Sequence, residues 1–295
     1  MNSFITAIVV WSSVLLLHGA ENSKLDTWSK EGLTKDERTA LVEDSKKGGF
    51  AEIAPDLLKA LVDYQPFYGI NPIGDTPWND ERLSGRDRVY LMASAVWHHH
   101  MTPRDDLNKA KALLGLLQNS SRIGERSILI SALLNYQWCP EAEDILLGIA
   151  KSKKEDDGIR RQSVSTLLSR CDLNTYMPLA VEIILAHEKG LDRCQAFNFA
   201  TNKGNRLFSL SDQNKRIFLA AGFDIINELP EKDIQTGYFV ARHLGFVLRA
   251  ENEFAPDQKD EKYQGKHGLS DEFFIDTVKN AITWYSKHEE EIKPN

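Results

Sequence analysis

Two adjacent stretches decide the predicted fold: RSILISALLNYQWCPEAEDILLGIA (126–150) and RRQSVSTLLSRCDLNTYMPLAVEIILA (160–186). Each contains two apolar runs at the i, i+3, i+4, i+7 spacing of an amphipathic helix, separated by a short turn. When the stretches are aligned, the Leu-Leu pair at 133–134 coincides with the Leu-Leu pair at 167–168. The offset of about 34 residues is typical of repeated helix hairpins, because each hairpin buries its apolar face only against its neighbours.

The same helical spacing recurs in several parts of the chain. Its apolar positions are Leu129, Ala132, Leu133 and Tyr136; Val164, Leu167, Leu168 and Cys171; Ala180, Ile183, Ile184 and His187; and Phe274, Val278, Ala281, Ile282 and Tyr285. Helix starts are indicated by the capping box Thr34-x-x-Glu37, by Thr102-Pro103 and by Ser211-Asp212. A third copy of the hairpin begins near Leu191, with Phe199-Ala200 in the Leu-Leu position. Strand-like alternation is scarce, so we predict an all-α protein.

The paired units SALLNYQWCPEAEDILLGI and STLLSRCDLNTYMPLAVEII resemble HEAT-like helical repeats. The resemblance is clearest over 103–203 and fades on both sides. It implies an α–α superhelix of stacked helix hairpins, forming a single α-helical repeat domain over 21–295, and a role as a binding scaffold. It supplies no catalytic residue to this chain.

The first twenty residues, MNSFITAIVVWSSVLLLHGA, contain no Lys, Arg, Asp or Glu. An apolar run from Phe4 to Leu17 is followed by the small residues Gly19 and Ala20, and charge begins at Glu21. This pattern is typical of a secretory signal peptide over 1–20, so we expect a secreted or periplasmic protein. An uncleaved membrane anchor and a buried first helix are the alternatives, although the apolar run is shorter than the ~20 residues that span a bilayer.

Composition and charge restrict the class of protein. A chain of 295 residues with 42% hydrophobic and 27% charged residues is typical of a globular protein. Its formal net charge of −7 disfavours a general nucleic-acid binder, which needs a basic surface to displace counterions. No later segment is apolar over a spanning length, and neither G-x-G-x-x-G nor G-x-x-x-x-G-K occurs. The sequence therefore predicts no nucleic-acid partner, no membrane span after processing and no cofactor.

The chain has three cysteines, Cys139, Cys171 and Cys194, and none of them belongs to a CxxC motif. We expect all three to be free thiols. In the repeat alignment, Cys139 and Cys171 both end the first helix of successive hairpins, at the same edge of the stack. They are therefore the one pair that a disulfide could join. Neighbouring helix axes lie about 8–10 Å apart, whereas a disulfide requires α-carbons within about 7 Å.

Three consecutive histidines precede a proline in VWHHHMTP (96–103): His98, His99 and His100. The helix that carries them is expected to end within a residue or two of His100, because Pro103 disfavours helical backbone before it. Consecutive helical residues point about 100° apart, so three helical histidines cannot face one metal ion. We therefore predict no metal site and interpret the rings as C-terminal residues that the helix dipole favours. A metal site completed by Asp105 or Asp106 and a pH-sensitive contact surface are the alternatives.

The segment DYQPFYGINPIGDTPWND (63–80) breaks the helical pattern with three prolines and four aromatic residues. A stiff, amphipathic loop of this kind can bind a peptide or a sugar face, and RLSGRDR (82–88) adds arginines beside it. The predicted binding surface consists of Tyr64, Phe67, Tyr68, Trp78, Arg82 and Arg86. The alternative is a packing role, in which the loop covers the open end of the helical stack.

Motifs for catalysis are not found in the sequence. There is no G-x-S-x-G, and His187 and His243 lie among apolar residues, where they are interpreted as hydrogen-bonded core histidines. We therefore predict a non-catalytic binding or scaffolding module whose partner is a protein, a peptide or a glycan. The alternative from another class is an all-helical (α/α) barrel enzyme, such as a polysaccharide lyase or a glycoside hydrolase.

The apolar, charge-free N-terminal segment predicts that the chain is cleaved during export. Protein isolated from its native cells should begin near Glu21, because a signal peptidase cuts after small residues such as Ala20. Mass spectrometry of the intact chain checks this. An intact Met1 on protein from a soluble cytoplasmic fraction would contradict export.

Overall fold

The computed structural model of the chain describes residues 27–29, 33–45, 47, 50–63, 84–101, 107–134, 138–187, 189–265 and 268–292. Helices make up most of this part of the chain, and its strands form one short antiparallel pair, β1 (Gln264–Gly265) and β2 (Gly268–Leu269). The predicted all-α class is confirmed. Within the same residues, no helix is both long enough and apolar enough to cross a membrane.

The described residues form a succession of α-helices. In chain order they are α1 Lys35–Ser45, α2 Phe50–Asp63, α3 Gly85–His100, α4 Leu107–Asn119, α5 Ile123–Leu133, α6 Pro140–Lys151, α7 Asp157–Arg170, α8 Leu173–Leu185, α9 Leu191–Thr201, α10 Asp212–Asn227, α11 Tyr238–Leu248, α12 Glu251–Phe254 and α13 Asp271–Ile292. Short 3-10 helices lie between the later α-helices: η1 Gly204–Ser209, η2 Glu231–Gly237 and η3 Glu261–Tyr263.

The helices belong to two compact units, with the boundary in the chain at residue 128, inside α5. In the first unit, α2 packs against α3 and α4, and α1 packs against α3. The core of this unit includes residues from α2, α3 and the segment before α1: Trp28, Ile53, Leu57, Val89, Met92 and Val96.

The second unit contains helix hairpins packed one on the next. α7 packs against α8, α9 against α10, and α11 against α13. The first helix of each hairpin packs on the first helix of the next, in the order α7, α9 and α11. The second helices pack on one another in the order α8, α10 and α13. α6 packs on α7 ahead of these hairpins. The predicted stack of helix hairpins is therefore confirmed in this unit.

The apolar stripes that predicted the hairpins form the core of the stack. The leucines at 167–168 and the isoleucines at 183–184 are buried, as the alignment predicts. In the third copy Ala200 is buried, but Phe199 is 52% exposed. The Leu-Leu position is therefore not buried in every copy, since the ring of Phe199 lies at the surface beneath the Arg161 guanidinium, 5.7 Å away, and Leu134 is 37% exposed.

Two of the predicted helix starts are confirmed. The amide of Thr34 donates to Glu37 Oε2 at 2.8 Å, and the amide of Glu37 donates to Thr34 Oγ1 at 3.2 Å, which completes the capping box. Ser211 Oγ accepts from the amide of Asn214 at 3.3 Å at the start of α10. Thr102-Pro103 lies outside the described residues.

The structure corrects the position of one cysteine. Cys171 closes α7, as the repeat alignment predicts. Cys139 does not end the first helix of its hairpin, because α5 already ends at Leu133; it is the N-cap residue of α6. Cys139, Cys171 and Cys194 are all free thiols.

Basic side chains bind the carbonyl groups at the ends of α3 to α8. Each donor comes from a later part of the chain than the helix that it caps. The pairs are Lys109 with His100, Arg126 with Leu117 and Ser120, Arg170 with Leu134, Arg160 with Ala150, Arg206 with Leu168 and Cys171, and Arg193 with Leu185 and His187. These bonds satisfy carbonyls that have no partner within their own helix.

Gly222 marks a close approach of the helices in the stack. A Cβ added at this α10 position would lie 2.5 Å from Leu244 Cδ2 on α11 and 3.1 Å from Phe197 Cζ on α9. Real Cβ atoms do not come that close, so an alanine at this position forces the Leu244 side chain to shift. Gly148 on α6 is a contrasting case, because a Cβ there would meet nothing within 4 Å.

Alanine substitutions at the two glycines should therefore change the free energy of unfolding in opposite directions. Gly222→Ala should lower the free energy of unfolding by about 1–3 kcal/mol, because the added methyl group overpacks the buried helix contact. Gly148→Ala should raise it by up to about 1 kcal/mol, because alanine favours a helix and the site is open. Denaturant titrations of both variants and the natural protein check this. Equal effects of the two substitutions would contradict the close approach at Gly222.

Candidate functional site

The loop surface predicted from the sequence falls mostly outside the described residues. Tyr64, Phe67, Tyr68, Trp78 and Arg82 all lie in 64–83, which the structure does not describe. Arg86 is described, and it is exposed in the first turn of α3. The loop surface therefore stays a prediction.

The described histidine side chains at the end of α3 lie in different environments. α3 ends at His100, as predicted from Pro103. The side chain of His98 is exposed, whereas that of His100 is buried with its ring 5.7 Å from the ring of Phe50. The side chain of His99, together with Asp105 and Asp106, lies outside the described residues. Among the described side chains, no group of three or more His, Cys, Asp or Glu residues is placed to hold a metal ion.

The two histidines assigned to the core are only half-buried. Their buried ring nitrogens, His187 Nε2 and His243 Nδ1, have no hydrogen-bond partner among the described residues, so the predicted hydrogen bonding is wrong. Burial lowers the pKa of both rings, and nearby arginine charges lower it further. Both histidines are therefore predominantly neutral at neutral pH.

A carboxylate, a thiol and a phenol meet where α6, α7 and α8 pack together. Tyr176 Oη donates to Glu143 Oε1, and the Cys171 thiol lies close to this carboxylate. Burial and the negative charge of Glu143 raise the pKa of Cys171 to about 12, and the same causes raise the pKa of Tyr176. The thiol therefore stays protonated at neutral pH, and a protonated thiol is a poor nucleophile.

A cleft of about 440 Å³ lies between α11, α12 and α13 in the second unit. Its aromatic lining consists of Tyr238, Phe246, Phe254 and Phe273, and its polar lining includes Arg242, Glu251, Asn252 and Gln258. Phe254 and Phe273 are buried, whereas Tyr238 and Phe246 are half-buried. A concave, mainly apolar site with a few polar groups at its edge is the usual form of a ligand pocket.

One side of α11 contributes aromatic and basic side chains in turn to this region. The residues are Tyr238, Arg242, Phe246 and, at the C-cap, Arg249, which we call the arginine–aromatic stripe. Their spacing of four, four and three residues places them on the same side of the helix. The opposite side is buried in the stack through Val240, Ala241, Leu244 and Val247. Both arginines of the stripe are exposed.

Arg249 has a left-handed backbone conformation, with φ 59°. The amide of Ala250 donates to the Gly245 carbonyl at 2.8 Å, and the amide of Arg249 donates to the Phe246 carbonyl at 3.2 Å, so α11 ends in a Schellman motif. This conformation costs a residue with a Cβ roughly 1–2 kcal/mol, and glycine is its usual occupant. Non-glycine residues in strained conformations cluster at functional sites.

The side chain of Arg249 lies beside the cleft and contacts η1. Its guanidinium carbon lies 5.8 Å from the centre of the Phe208 ring, and Phe208 packs on Phe246 with 4.2 Å between ring centres. Phe208 is 46% exposed, so the ring remains accessible. The accessible surface thus runs from the cleft across Phe246 to Phe208.

The wall of the cleft formed by α12 is fixed on both sides. Gly245 lets α12 approach α11, since a Cβ there would lie 3.0 Å from the Phe254 ring. Asn280 Nδ2 donates to the Phe254 carbonyl at 3.0 Å, and Trp284 Nε1 donates to Glu253 Oε2 at 2.8 Å, which ties α12 to α13. The cleft is therefore formed before any ligand binds.

The charges of the stripe are not neutralised within the described part of the chain. No described carboxylate lies within 4.0 Å of the guanidinium of Arg242 or Arg249. Arg193, in contrast, pairs with Glu228 at 2.8 Å. The guanidinium groups of Arg242 and Arg249 are therefore open to a carboxylate of a partner, as are the ammonium groups of other exposed residues such as Lys232.

This surface is not among the sequence predictions. Its signal is the periodic placement of aromatic and basic residues in YFVARHLGFVLR (238–249), a segment in which the sequence predicts only that His243 lies in the core. The position of Phe208 beside Phe246 has no signal in the sequence, because the two residues are far apart in the chain and meet through packing.

Comparison of the chain with protein-family models, with curated proteins and with solved structures gives no match. The function is therefore inferred from the chemistry of the described surface.

The conformation of Arg249 predicts a difference between two substitutions. Arg249→Gly should be more stable than Arg249→Ala by about 1 kcal/mol, because only alanine keeps a Cβ in the left-handed conformation. Both variants lose the contact with Phe208, so the comparison isolates the backbone. Thermal and denaturant unfolding of the two variants check this. Equal stability would contradict the left-handed cap.

Proposed function

We propose that the chain is a non-catalytic, HEAT-like binding module that acts outside the cytoplasm and holds a protein or peptide partner at the cleft and the arginine–aromatic stripe. The observation that carries this proposal is the preformed cleft, where aromatic rings adjoin exposed Arg242 and Arg249. Export is part of the proposal and rests on the apolar, charge-free N-terminus.

The residue types of this surface favour protein recognition. Aromatic residues and arginine are enriched in the buried parts of protein interfaces, and a few such residues contribute most of the binding energy. Phe208 and Phe246 offer a ring face, and Arg249 holds its planar guanidinium over that face. An arginine that already rests on a ring loses less side-chain freedom when a partner binds.

The same side chains are poorly suited to catalysis. Guanidinium groups stay protonated at physiological pH, and phenylalanine rings neither donate nor accept protons. Glu251 is the carboxylate in the cleft lining, and it is exposed to solvent. Binding is therefore the function that this geometry supports best.

The proposal predicts the outcome of an affinity capture. The natural protein is immobilised and incubated with extract and medium of its native cells, and it should retain a partner. The Phe208→Ala/Arg249→Gln variant should retain at least about tenfold less of that partner, because hot-spot residues each contribute about 2 kcal/mol or more to binding. Quantitative mass spectrometry of the bound fraction measures this.

The control is Ile123→Ala, because Ile123 is a comparably exposed apolar residue (55%) in the first turn of α5. It should capture the partner as well as the natural protein does. A partner retained equally by all three proteins would place the binding surface elsewhere, and the absence of any specific partner would contradict a binding function.

A further inference from the structure

We infer that the segment bound at this surface is an acidic peptide region that carries a bulky apolar side chain. This inference rests on the proposed function and specifies the chemistry of its partner. The apolar side chain enters the cleft between α11, α12 and α13, and flanking carboxylates bind Arg242 and Arg249.

The charge of the partner follows from the two arginines. Both are exposed, and no described carboxylate pairs with either of them. The guanidinium fork matches a carboxylate with two parallel hydrogen bonds, and such charge-assisted bonds are stronger than neutral ones. The two guanidinium groups therefore favour a partner segment that carries carboxylates.

The apolar part of the partner follows from the cleft. Its floor is formed by Phe254 and Phe273, which are buried, and its sides include the half-buried rings of Tyr238 and Phe246. The volume of about 440 Å³ exceeds what a single methyl group would fill and suits an aromatic or large aliphatic side chain. Burial of such a side chain supplies affinity that the exposed ion pairs alone would not.

The distance between Arg242 and Arg249 sets the spacing of the Asp or Glu residues in the bound peptide. Arg242 and Arg249 are seven residues apart along α11, which corresponds to about 10 Å of helix at about 1.5 Å per residue. An extended peptide advances about 3.3 Å per residue, so acids about three residues apart match this distance. The apolar side chain lies between them in sequence, as the cleft lies beside Arg242 and Phe246.

The surface favours a peptide over a polyanion. Glu251 stands in the lining of the same cleft, where it repels a ligand with a charge on every unit, such as a nucleic acid or a sulfated glycan. An acidic peptide can place a neutral residue at that point. Nucleic acids and sulfated glycans are therefore outcomes that would overturn the inference.

The test uses a random dodecapeptide library displayed on phage and selected on the full natural protein. The library is first depleted on the Arg242→Gln/Arg249→Gln double variant, which removes both charges at exposed positions and keeps side-chain length. Enriched peptides should carry Asp or Glu about three residues apart, with a bulky apolar residue between them. Titration calorimetry of one such peptide should show roughly tenfold weaker binding to the double variant, since two exposed ion pairs contribute up to about 1 kcal/mol each.

The matched control is Arg161→Gln, because Arg161 also lies over a phenylalanine ring, 5.7 Å from that of Phe199, but contributes nothing to the cleft lining. This variant should bind the peptide as the natural protein does. Replacing both Asp or Glu residues of the peptide with Gln should weaken binding by a similar factor, roughly tenfold.

Three results would overturn the inference: no enrichment, enrichment of neutral or basic peptides, and binding of oligouridylate or heparin that depends on Arg242 and Arg249. The proposed function fails separately, when the Phe208→Ala/Arg249→Gln variant captures the same partner as the natural protein. If a partner is captured through Phe208 and Arg249 but the selected peptides show no preference for Asp or Glu, the proposed function stands. Only the inferred acidic character of the partner is then refuted.

Discussion

The capping of helix ends by basic side chains from later in the chain is the interaction on which the helical stack depends. The last carbonyls of a helix lack partners within it, and hydrogen bonds to charged donors contribute about 1.5–3 kcal/mol each. Arg126, Arg193 and Arg206 each bind two carbonyls, which the several donors of a guanidinium permit. Each donor and its carbonyls belong to different elements, so every cap also ties two elements together.

One of these caps connects the stack to the candidate site. Arg206 belongs to η1, and its guanidinium binds Leu168 O and Cys171 O at the end of α7, both at 2.6 Å. This anchors η1, and Phe208 follows two residues later, with its ring packed on Phe246. The surface proposed to bind a partner thus depends on an arginine that does not belong to it.

The sequence predicts the helices well and the site poorly, for a physical reason. Helix faces repeat every three to four residues, so leucines at 167–168 and isoleucines at 183–184 can be assigned to a core from local spacing alone. The contact between Phe208 and Phe246 depends on packing between distant segments. The strained conformation of Arg249 is equally invisible, because a glycine rather than an arginine is the usual signal of that turn.

The direction of the caps has a consequence for synthesis. From α3 to α8 the donor always follows its acceptor helix in the chain, as Lys109 follows His100 and Arg206 follows Leu168. A ribosome releases the chain from its N-terminus, so each of these helices leaves the exit tunnel before the group that caps it. Its end carbonyls are hydrated until the element that carries the donor arrives. Assembly on the ribosome is therefore completed one to three elements behind translation, with Arg206 of η1 capping α7 as the longest delay.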